Sequence, residues 1–129
     1  LAIAGEVINK GYGVIYGSAQ NLLARLEKEK FSYSNQEEEQ SYLSLVLECD
    51  LLILDDLGTE FLSQFVTSMI YNIINTRLLE GRPTIISTNL SFPDISKRYT
   101  DRLASRLFGG YTQFEVIGRD VRIQSKIMG

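Results

Sequence analysis

The segment Leu51–Gly58 reads LLILDDLG and decides the fold of this chain. Four large aliphatic residues in a row are typical of a strand that is buried on both faces, as strands are in a parallel sheet covered by helices. Asp55 and Asp56 follow this strand directly, and Gly58 favours a turn after them. Because two adjacent carboxylates repel each other, we expect a positive group beside them.

Strands and helices alternate on both sides of this segment. Strands are expected at VIYGS, at TIISTN and, as two short strands or a hairpin, at QFEVIG and DVRIQ. Helices are expected over AQNLLARLEKEKF, over SNQEEEQSYLSLVLE with a capping box at Ser34 and Glu37, from Phe61 to Glu80, and over SFPDISKRYTDRLASRLF. This order predicts an α/β fold with three αβα layers around a mainly parallel sheet.

The first residues of the chain follow a helical pattern. Leu1, Ala4, Val7 and Ile8 would lie on one face, and Gly11 would end the helix. The sequence begins without a methionine, and nothing before Leu1 can cap this helix. We therefore expect a domain that is truncated at its N-terminus before or within its first helix.

The composition excludes several classes of protein. A chain of 129 residues that is 44% hydrophobic is typical of one globular domain, and its net charge of −3 argues against a uniformly basic nucleic-acid-binding surface. One cysteine and no histidine leave no internal disulfide and no zinc site, and they favour a reducing, cytoplasmic location. No apolar run reaches the ~18 residues of a membrane span.

Polar residues follow two strands where this class of fold binds ligands. Asp55 and Asp56 end one strand, and Thr88 and Asn89 end the next. The carboxyl ends of parallel strands share one edge, so we expect these residues to lie side by side. Magnesium suits such a site, because one carboxylate can hold the hydrated ion while its neighbour orients, or takes a proton from, an attacking water.

An arginine series lies near the end of the chain. Arg98, Arg102 and Arg106 are spaced by four and would form a basic stripe along one helix. Phosphoryl transfer needs an arginine to stabilise the charge that develops on the phosphate. Together with Lys97 the stripe could contact DNA locally, but we favour phosphate sensing.

The order of these segments closely resembles the DnaC/IstB-like helicase-loader ATPases of the AAA+ group, over nearly the whole chain. LAIAGEVINKGYGVIY is similar to the segment that follows that family's phosphate-binding loop, and LLILDDLG is similar to its Walker B strand. STNL resembles its sensor 1, DRLASRLF its arginine-finger box, and GRDVRIQ the strand with its sensor 2 arginine. The resemblance implies a RecA/AAA+-like core in which residues 1–129 form a partial domain, without its first strand and its phosphate-binding loop.

The same resemblance implies ATP and Mg²⁺ as ligands and assigns roles to residues. Asp55 would hold Mg²⁺ through water, and Asp56 would lie near the metal and activate the attacking water. Asn89 would probe the γ-phosphate, and Arg106 would reach the ATP of a neighbouring subunit. Arg102 would be second to Arg106 in this role, and Arg122 would be the sensor 2 arginine. Apart from the resemblance, the Thr88 hydroxyl is an alternative to Asn89 as the group that positions the water or senses the terminal phosphate.

The implied function of the intact parent is to load a replicative helicase onto single-stranded DNA, with self-association that places ATP at subunit interfaces. A transposase-helper ATPase of the IstB type would share this chemistry, and a non-catalytic interaction domain is a further alternative. A phosphoacceptor receiver domain fits less well, because it needs the acidic pair on its first strand, whereas Asp55 and Asp56 lie mid-chain.

The sequence contains no GxxxxGK[ST] segment, whose backbone N–H groups and lysine supply most of the affinity for a triphosphate. We therefore predict that the purified 129-residue chain binds ATP weakly or not at all. A phosphate-release assay is expected to give no hydrolysis above background, and turnover above background would contradict this prediction.

Overall fold

The computed structural model of the chain describes residues 5–9, 12–30, 41–116 and 119–124. The strands in these ranges are β1 (Gly5–Asn9), β2 (Tyr12–Ser18), β3 (Leu51–Leu57), β4 (Thr84–Thr88), β5 (Thr112–Val116) and β6 (Arg119–Gln124). The helices are α1 (Ala19–Lys30), α2 (Tyr42–Glu48), α3 (Gln64–Leu79), α4 (Phe92–Arg98) and α5 (Asp101–Gly110).

All the described strands form a single sheet in the order β1-β2-β3-β4-β6-β5. The three strands β2, β3 and β4 are parallel to one another, while β1, β6 and β5 join the two sides of this group by antiparallel pairings. The α/β class and the parallel centre of the sheet, which the alternation of strands and helices predicted, are confirmed. So is the pair of short strands near the end of the chain, since β5 and β6 are antiparallel neighbours.

One face of the parallel strands carries the core. Leu52 and Leu54 of β3 and Ile86 of β4 are buried and join one cluster with apolar residues of all five helices. The connections from β2 to β3 and from β3 to β4 both step in the same direction across the sheet. Connections between parallel strands are right-handed, so both connections place their helices on the same face of the sheet. The alternate residues Leu51 and Ile53 are half-buried, and they mark the face that a second helical layer would cover.

Helices α2 to α5 begin at a hydroxyl side chain that accepts the backbone N–H three residues later, and Ser18 accepts the Asn21 N–H in the same way at the start of α1. This bond satisfies one of the amide groups that the first turn of a helix leaves without a partner. The N-cap residues of α2 to α5 are Ser41, Ser63, Ser91 and Thr100. Ser34 and Glu37, the capping box expected for the second helix, lie outside the described residues, and α2 begins after Ser41.

The expectation of a helix at the start of the chain is wrong for Gly5–Asn9, which is strand β1. This strand pairs antiparallel to β2, and Val7 lies opposite Val14. Asn9 pairs with Tyr12, so two residues separate the paired strands, which is the commonest spacing in a β-hairpin. Adjacent β-branched residues such as Val7 and Ile8 favour a strand once a partner strand is present.

The single helix expected over residues 91–108 is two helices. The backbone leaves the helical region at Tyr99, and the Thr100 hydroxyl accepts the N–H of Leu103 to begin α5. An internal N-cap residue provides a local alternative to a continuous helix, since its side chain replaces a backbone acceptor. Arg98 therefore ends α4, while Arg102 and Arg106 belong to α5, and the expected continuous stripe does not exist.

A buried arginine connects α2, α3 and β4 at the amino ends of the parallel strands. The side chain of Arg77 has no exposed surface, and its guanidinium group donates to the carbonyl oxygens of Val46, Cys49 and Pro83 at 2.7–3.0 Å. It also donates to the Leu47 carbonyl and the Thr84 hydroxyl. Several of these acceptors are the terminal carbonyls of α2, where the helix dipole favours a cation. Burial lowers the pKa of Arg77 from its ordinary value.

We predict that Arg77→Met lowers the free energy of unfolding by roughly 3–5 kcal/mol, because it leaves the buried carbonyls without donors. The matched control is Arg82→Met. Arg82 also donates to the end of α2, at the Glu48 carbonyl, but 35% of its side chain is exposed, so its loss should cost at most about 1 kcal/mol. Urea denaturation of both variants measures the difference, and equal costs would show that the Arg77 contacts add little stability.

Candidate functional site

Strand β3 carries a bulge at the acidic pair. Leu54 pairs with Ile86 and Leu57 pairs with Thr88, so three steps along β3 oppose two steps along β4. Asp56 takes up the extra residue with a left-handed φ of 58°, a conformation that aspartate tolerates better than most residues. As a result Leu54 and Leu57 are both buried, and both carboxylates between them stay out of the core.

Hydroxyl groups from two neighbouring strands hold Asp55. Tyr16 of β2 donates to Asp55 Oδ2 at 3.2 Å, and Ser87 of β4 donates to Asp55 Oδ1. The Ser87 hydroxyl also accepts the backbone N–H of Asp56 at 2.9 Å. A hydroxyl donor orients a carboxylate without adding positive charge, so the site keeps its capacity for a cation.

The acidic pair fits a magnesium ion that arrives with a nucleotide. Among the described residues, no group of three or more acidic, histidine or cysteine side chains could hold a metal ion. Magnesium keeps several waters and takes further oxygen ligands from substrate phosphates, so one or two protein carboxylates suffice for it. Asp55, with its orientation fixed by two hydroxyl groups, is the better placed ligand of the pair.

The predicted side-by-side placement of the acidic pair and the end of β4 is confirmed. Leu57 and Thr88 are paired, and Ser87 contacts both aspartates. Thr88 itself is 1% exposed; its hydroxyl donates to the Leu57 carbonyl at 2.7 Å and accepts the Leu90 N–H at 3.1 Å. Asn89 follows β4 and is exposed, which leaves its amide accessible at this edge.

Ser87 is the contact that sequence reasoning missed. Its neighbour Thr88 was predicted instead, but residues that alternate along a strand point to opposite faces. Ile53 pairs with Ile85, and two residues further along each strand stand Asp55 and Ser87. The sequence shows only that a serine precedes Thr88, and the strand register that brings this serine to Asp55 is visible only in the structure.

Arg102 and Arg106 lie together on α5 and contact α3. Arg106 Nε donates to Asn75 Oδ1 at 2.7 Å, and Arg102 donates to the Tyr71 hydroxyl at 3.3 Å. The guanidinium carbons lie 4.9 Å and 5.9 Å from the centre of the Tyr71 ring, within the range of cation–π attraction. The role of these two arginines towards a nucleotide stays a prediction, but their contacts with α3 fix the positions of both side chains.

Arg122 pairs through its backbone with Ile86, inside the sheet. Asp120 pairs with Thr88, so it is Asp120, and not Arg122, that stands level with the end of β4. The backbone of Arg122 therefore lies two residues away from the sheet edge where β4 ends. Its predicted contact with a nucleotide stays a prediction.

A buried acidic residue follows the pair, which is itself only half-buried. Glu60 is 3% exposed, and its carboxylate accepts the Gly58 N–H at 3.0 Å and the Tyr99 hydroxyl. Arg98 donates to the Glu60 backbone carbonyl and lies 3.7 Å from the carboxylate. Burial, and next the bond to Glu60, raise the pKa of the Tyr99 hydroxyl above its ordinary value. Sequence reasoning gave Glu60 no role and placed Arg98 in a continuous basic stripe for which phosphate sensing was favoured.

A cavity of about 330 Å³ opens at the carboxyl end of β2, next to the acidic pair. Tyr16 belongs both to its wall and to the Asp55 contacts. The remaining lining residues are Gly17, Ser18, Asn21, Leu22, Arg25 and Tyr42.

In the described ranges, no helix combines the length and apolar character that a bilayer crossing requires.

Comparison with known proteins identifies the family of this chain. The model of the family described as IstB-like ATP binding protein matches residues 1–123. The chain belongs to this family. The resemblance inferred from the motifs is thereby confirmed, and an ATP-binding class of protein is indicated.

Curated relatives and a solved structure are helicase loaders. The replicative helicase loader DnaC of Escherichia coli K12 is 26% identical over 128 residues, which cover 99% of this chain and 51% of the relative. The DnaC proteins of Escherichia coli O157:H7 and Shigella flexneri match to the same extent. A crystal structure of the DnaC helicase loader superposes with a TM-score of 0.64 at 28% identity, covering 78% of this chain and 59% of that one. The chain thus spans about half the length of the curated relatives it matches.

The left-handed conformation of Asp56 gives a test of the bulge. We predict that Asp56→Gly is more stable than Asp56→Ala by about 1 kcal/mol, because a Cβ is disfavoured at this φ. At the exposed helical position Ser68 the order should reverse, with alanine better than glycine by about 1 kcal/mol. Thermal or urea unfolding of the four variants measures both differences, and a preference for alanine at both positions would contradict the bulge geometry.

Proposed function

We propose that this chain is the hydrolytic half of an ATP-dependent helicase loader, and that Asp55 and Asp56 are its metal- and water-binding acids. The observation that carries the proposal is the acidic pair fixed at the end of the central strand, with Asn89 exposed at the adjacent strand end. The DnaC relatives and the DnaC crystal structure support a loader.

The proposed roles follow from where each side chain stands. Asp55, oriented by Tyr16 and Ser87, would hold a hydrated Mg²⁺, and Asp56 beside it would orient the attacking water. Asn89 would contact the terminal phosphate from the end of β4. Bound Mg²⁺ would offset negative charge on the triphosphate and on the transferring phosphoryl group.

The arginine roles require a second copy of the protein. Arg106, and after it Arg102, would reach the ATP of a neighbouring subunit from α5. Their shared contacts with Tyr71 and Asn75 of α3 support this role, because they hold two guanidinium groups in one place. Thr88 would act indirectly by holding the edge of the sheet, and Arg122 would contact phosphate only if β6 brings its side chain to that edge.

Phosphate binding in this proposal depends on a glycine-rich loop that the printed sequence does not contain. We therefore propose hydrolysis for a longer protein that includes such a loop. The proposed partners are a replicative helicase and single-stranded DNA, with further copies of the same protein. Co-purification with a replicative helicase, as opposed to a transposase, distinguishes the loader from the transposase helper that shares its chemistry.

The test is a graded series of variants in the longer protein. Asp55→Asn should lower the rate of ATP hydrolysis on the order of 100-fold or more, since it removes the charged metal ligand. Ser87→Ala should lower it about 10-fold, since it removes a group that only orients that ligand. Phosphate release at saturating ATP and Mg²⁺ measures both.

Glu48→Gln is the matched control, because it makes the same carboxylate-to-amide change at an exposed residue at the end of α2. Its rate should stay within about twofold of the unsubstituted protein. Hydrolysis at the unsubstituted rate by Asp55→Asn would refute the metal-binding role.

A further inference from the structure

Glu60 is a buried acid that the proposed chemistry does not use. Carboxylates are almost never fully buried unless they are paired, because removal of the charge from water is costly. Both of its carboxylate oxygens have donors, Gly58 N–H for one and the Tyr99 hydroxyl for the other. Its backbone carbonyl accepts from Arg98 as well. Such a complete set of partners indicates that the position of Glu60 is tightly fixed.

On one side Glu60 holds the turn that contains Asp56. The turn is short: Asp56 is left-handed, its carbonyl accepts from the Thr59 backbone N–H and hydroxyl, and Gly58 follows with a φ of 113°. The Gly58 N–H points back to the Glu60 carboxylate. A Cβ at Gly58 would come within 2.7 Å of Leu90, so the turn also packs tightly against the residue that leads into α4.

On the other side Glu60 is held by the end of α4. Arg98 is the last residue of that helix and Tyr99 is its C-cap, and Arg98 Nε donates to the Tyr99 hydroxyl at 3.1 Å. The next residue, Thr100, is the N-cap of α5, which carries Arg102 and Arg106. An unbroken series of hydrogen bonds and backbone therefore runs from Asp56 to the first turn of α5.

We propose that Glu60 is a positioning residue that links the acidic pair to the arginine-bearing helix α5 through Arg98 and Tyr99. The proposal rests on the proposed function for its catalytic consequence, but the link itself concerns only contacts within this chain. A displacement of α4 would move Glu60, and Glu60 would carry the Asp56 turn with it. In the reverse direction, a ligand that changes the conformation of the Asp56 turn would shift the first turn of α5.

The link is tested first in the 129-residue chain, without nucleotide. Tyr99→Phe removes only the hydroxyl that Glu60 accepts from. The Gly58 amide, whose acceptor is Glu60, should then exchange with deuterium about fivefold faster, as expected for the weakening of one hydrogen bond. Exchange at the Gly58 amide, followed by NMR, is the measurement, and an unchanged rate overturns the proposal.

The matched control is Tyr111→Phe, which removes the hydroxyl of another buried tyrosine. Within the described residues, no hydrogen bond connects the Tyr111 hydroxyl to Glu60 or to Gly58. Its removal should leave exchange at Gly58 unchanged. Equal acceleration by both variants would mean general loosening and would overturn the link. If Tyr99→Phe does not fold, Glu60→Gln, which keeps the length of the side chain, replaces it with the same expected result.

The catalytic consequence is tested in the longer protein. Tyr99→Phe should lower kcat for ATP hydrolysis about 10-fold and leave KM for ATP within about twofold, because it misplaces Asp56 and removes no nucleotide contact. Faster exchange at Gly58 with kcat unchanged overturns the positioning role. If the unsubstituted longer protein hydrolyses no ATP, the proposed function fails, and the exchange measurement alone decides the link.

Discussion

The one extra residue in β3 is the constraint on which the candidate site depends. Regular alternation after Leu54 would send Asp55 to one face of the sheet and Asp56 into the core. The bulge returns Leu57 to the core instead, so that neither Asp55 nor Asp56 is buried against the helices. It requires a left-handed residue, and aspartate meets that requirement at lower cost than glutamate, because its short side chain bonds locally.

Much of this arrangement could be predicted from the sequence, because long patterns reflect burial that the whole fold enforces. The aliphatic run before Asp55 gave the central strand, and the apolar stripe from Val66 to Ile74 gave the longest helix. Parallel order then placed Asp55 and Asn89 at one edge. Adjacent strands in a βαβ unit have their carboxyl ends together, so this inference needed no knowledge of side-chain contacts.

What the sequence could not provide were the choices that tertiary pairing makes. The spacing of Val7 and Ile8 fits the apolar face of a helix, and only the pairing with β2 shows that they belong to a strand. Thr100 can sit inside a helix or cap a new one, and the packing of α4 selected the cap. Ser87 contacts Asp55 only because of the register between β3 and β4. Glu60 is held by Tyr99, which lies 39 residues further along the chain. No local pattern encodes such distances.

Arg77 has a consequence for how the molecule responds to its solvent. Among the described residues, its guanidinium group bonds neutral carbonyl oxygens, a hydroxyl and a thiol, and it donates to no carboxylate that acid could protonate. Salt screens exposed pairs such as Arg82 and Glu80 far more than a group shielded by protein. Acidification or high ionic strength should therefore weaken ion pairs at the surface of the domain. The hydrogen bonds of Arg77 that join α2, α3 and β4 should persist until the whole chain unfolds.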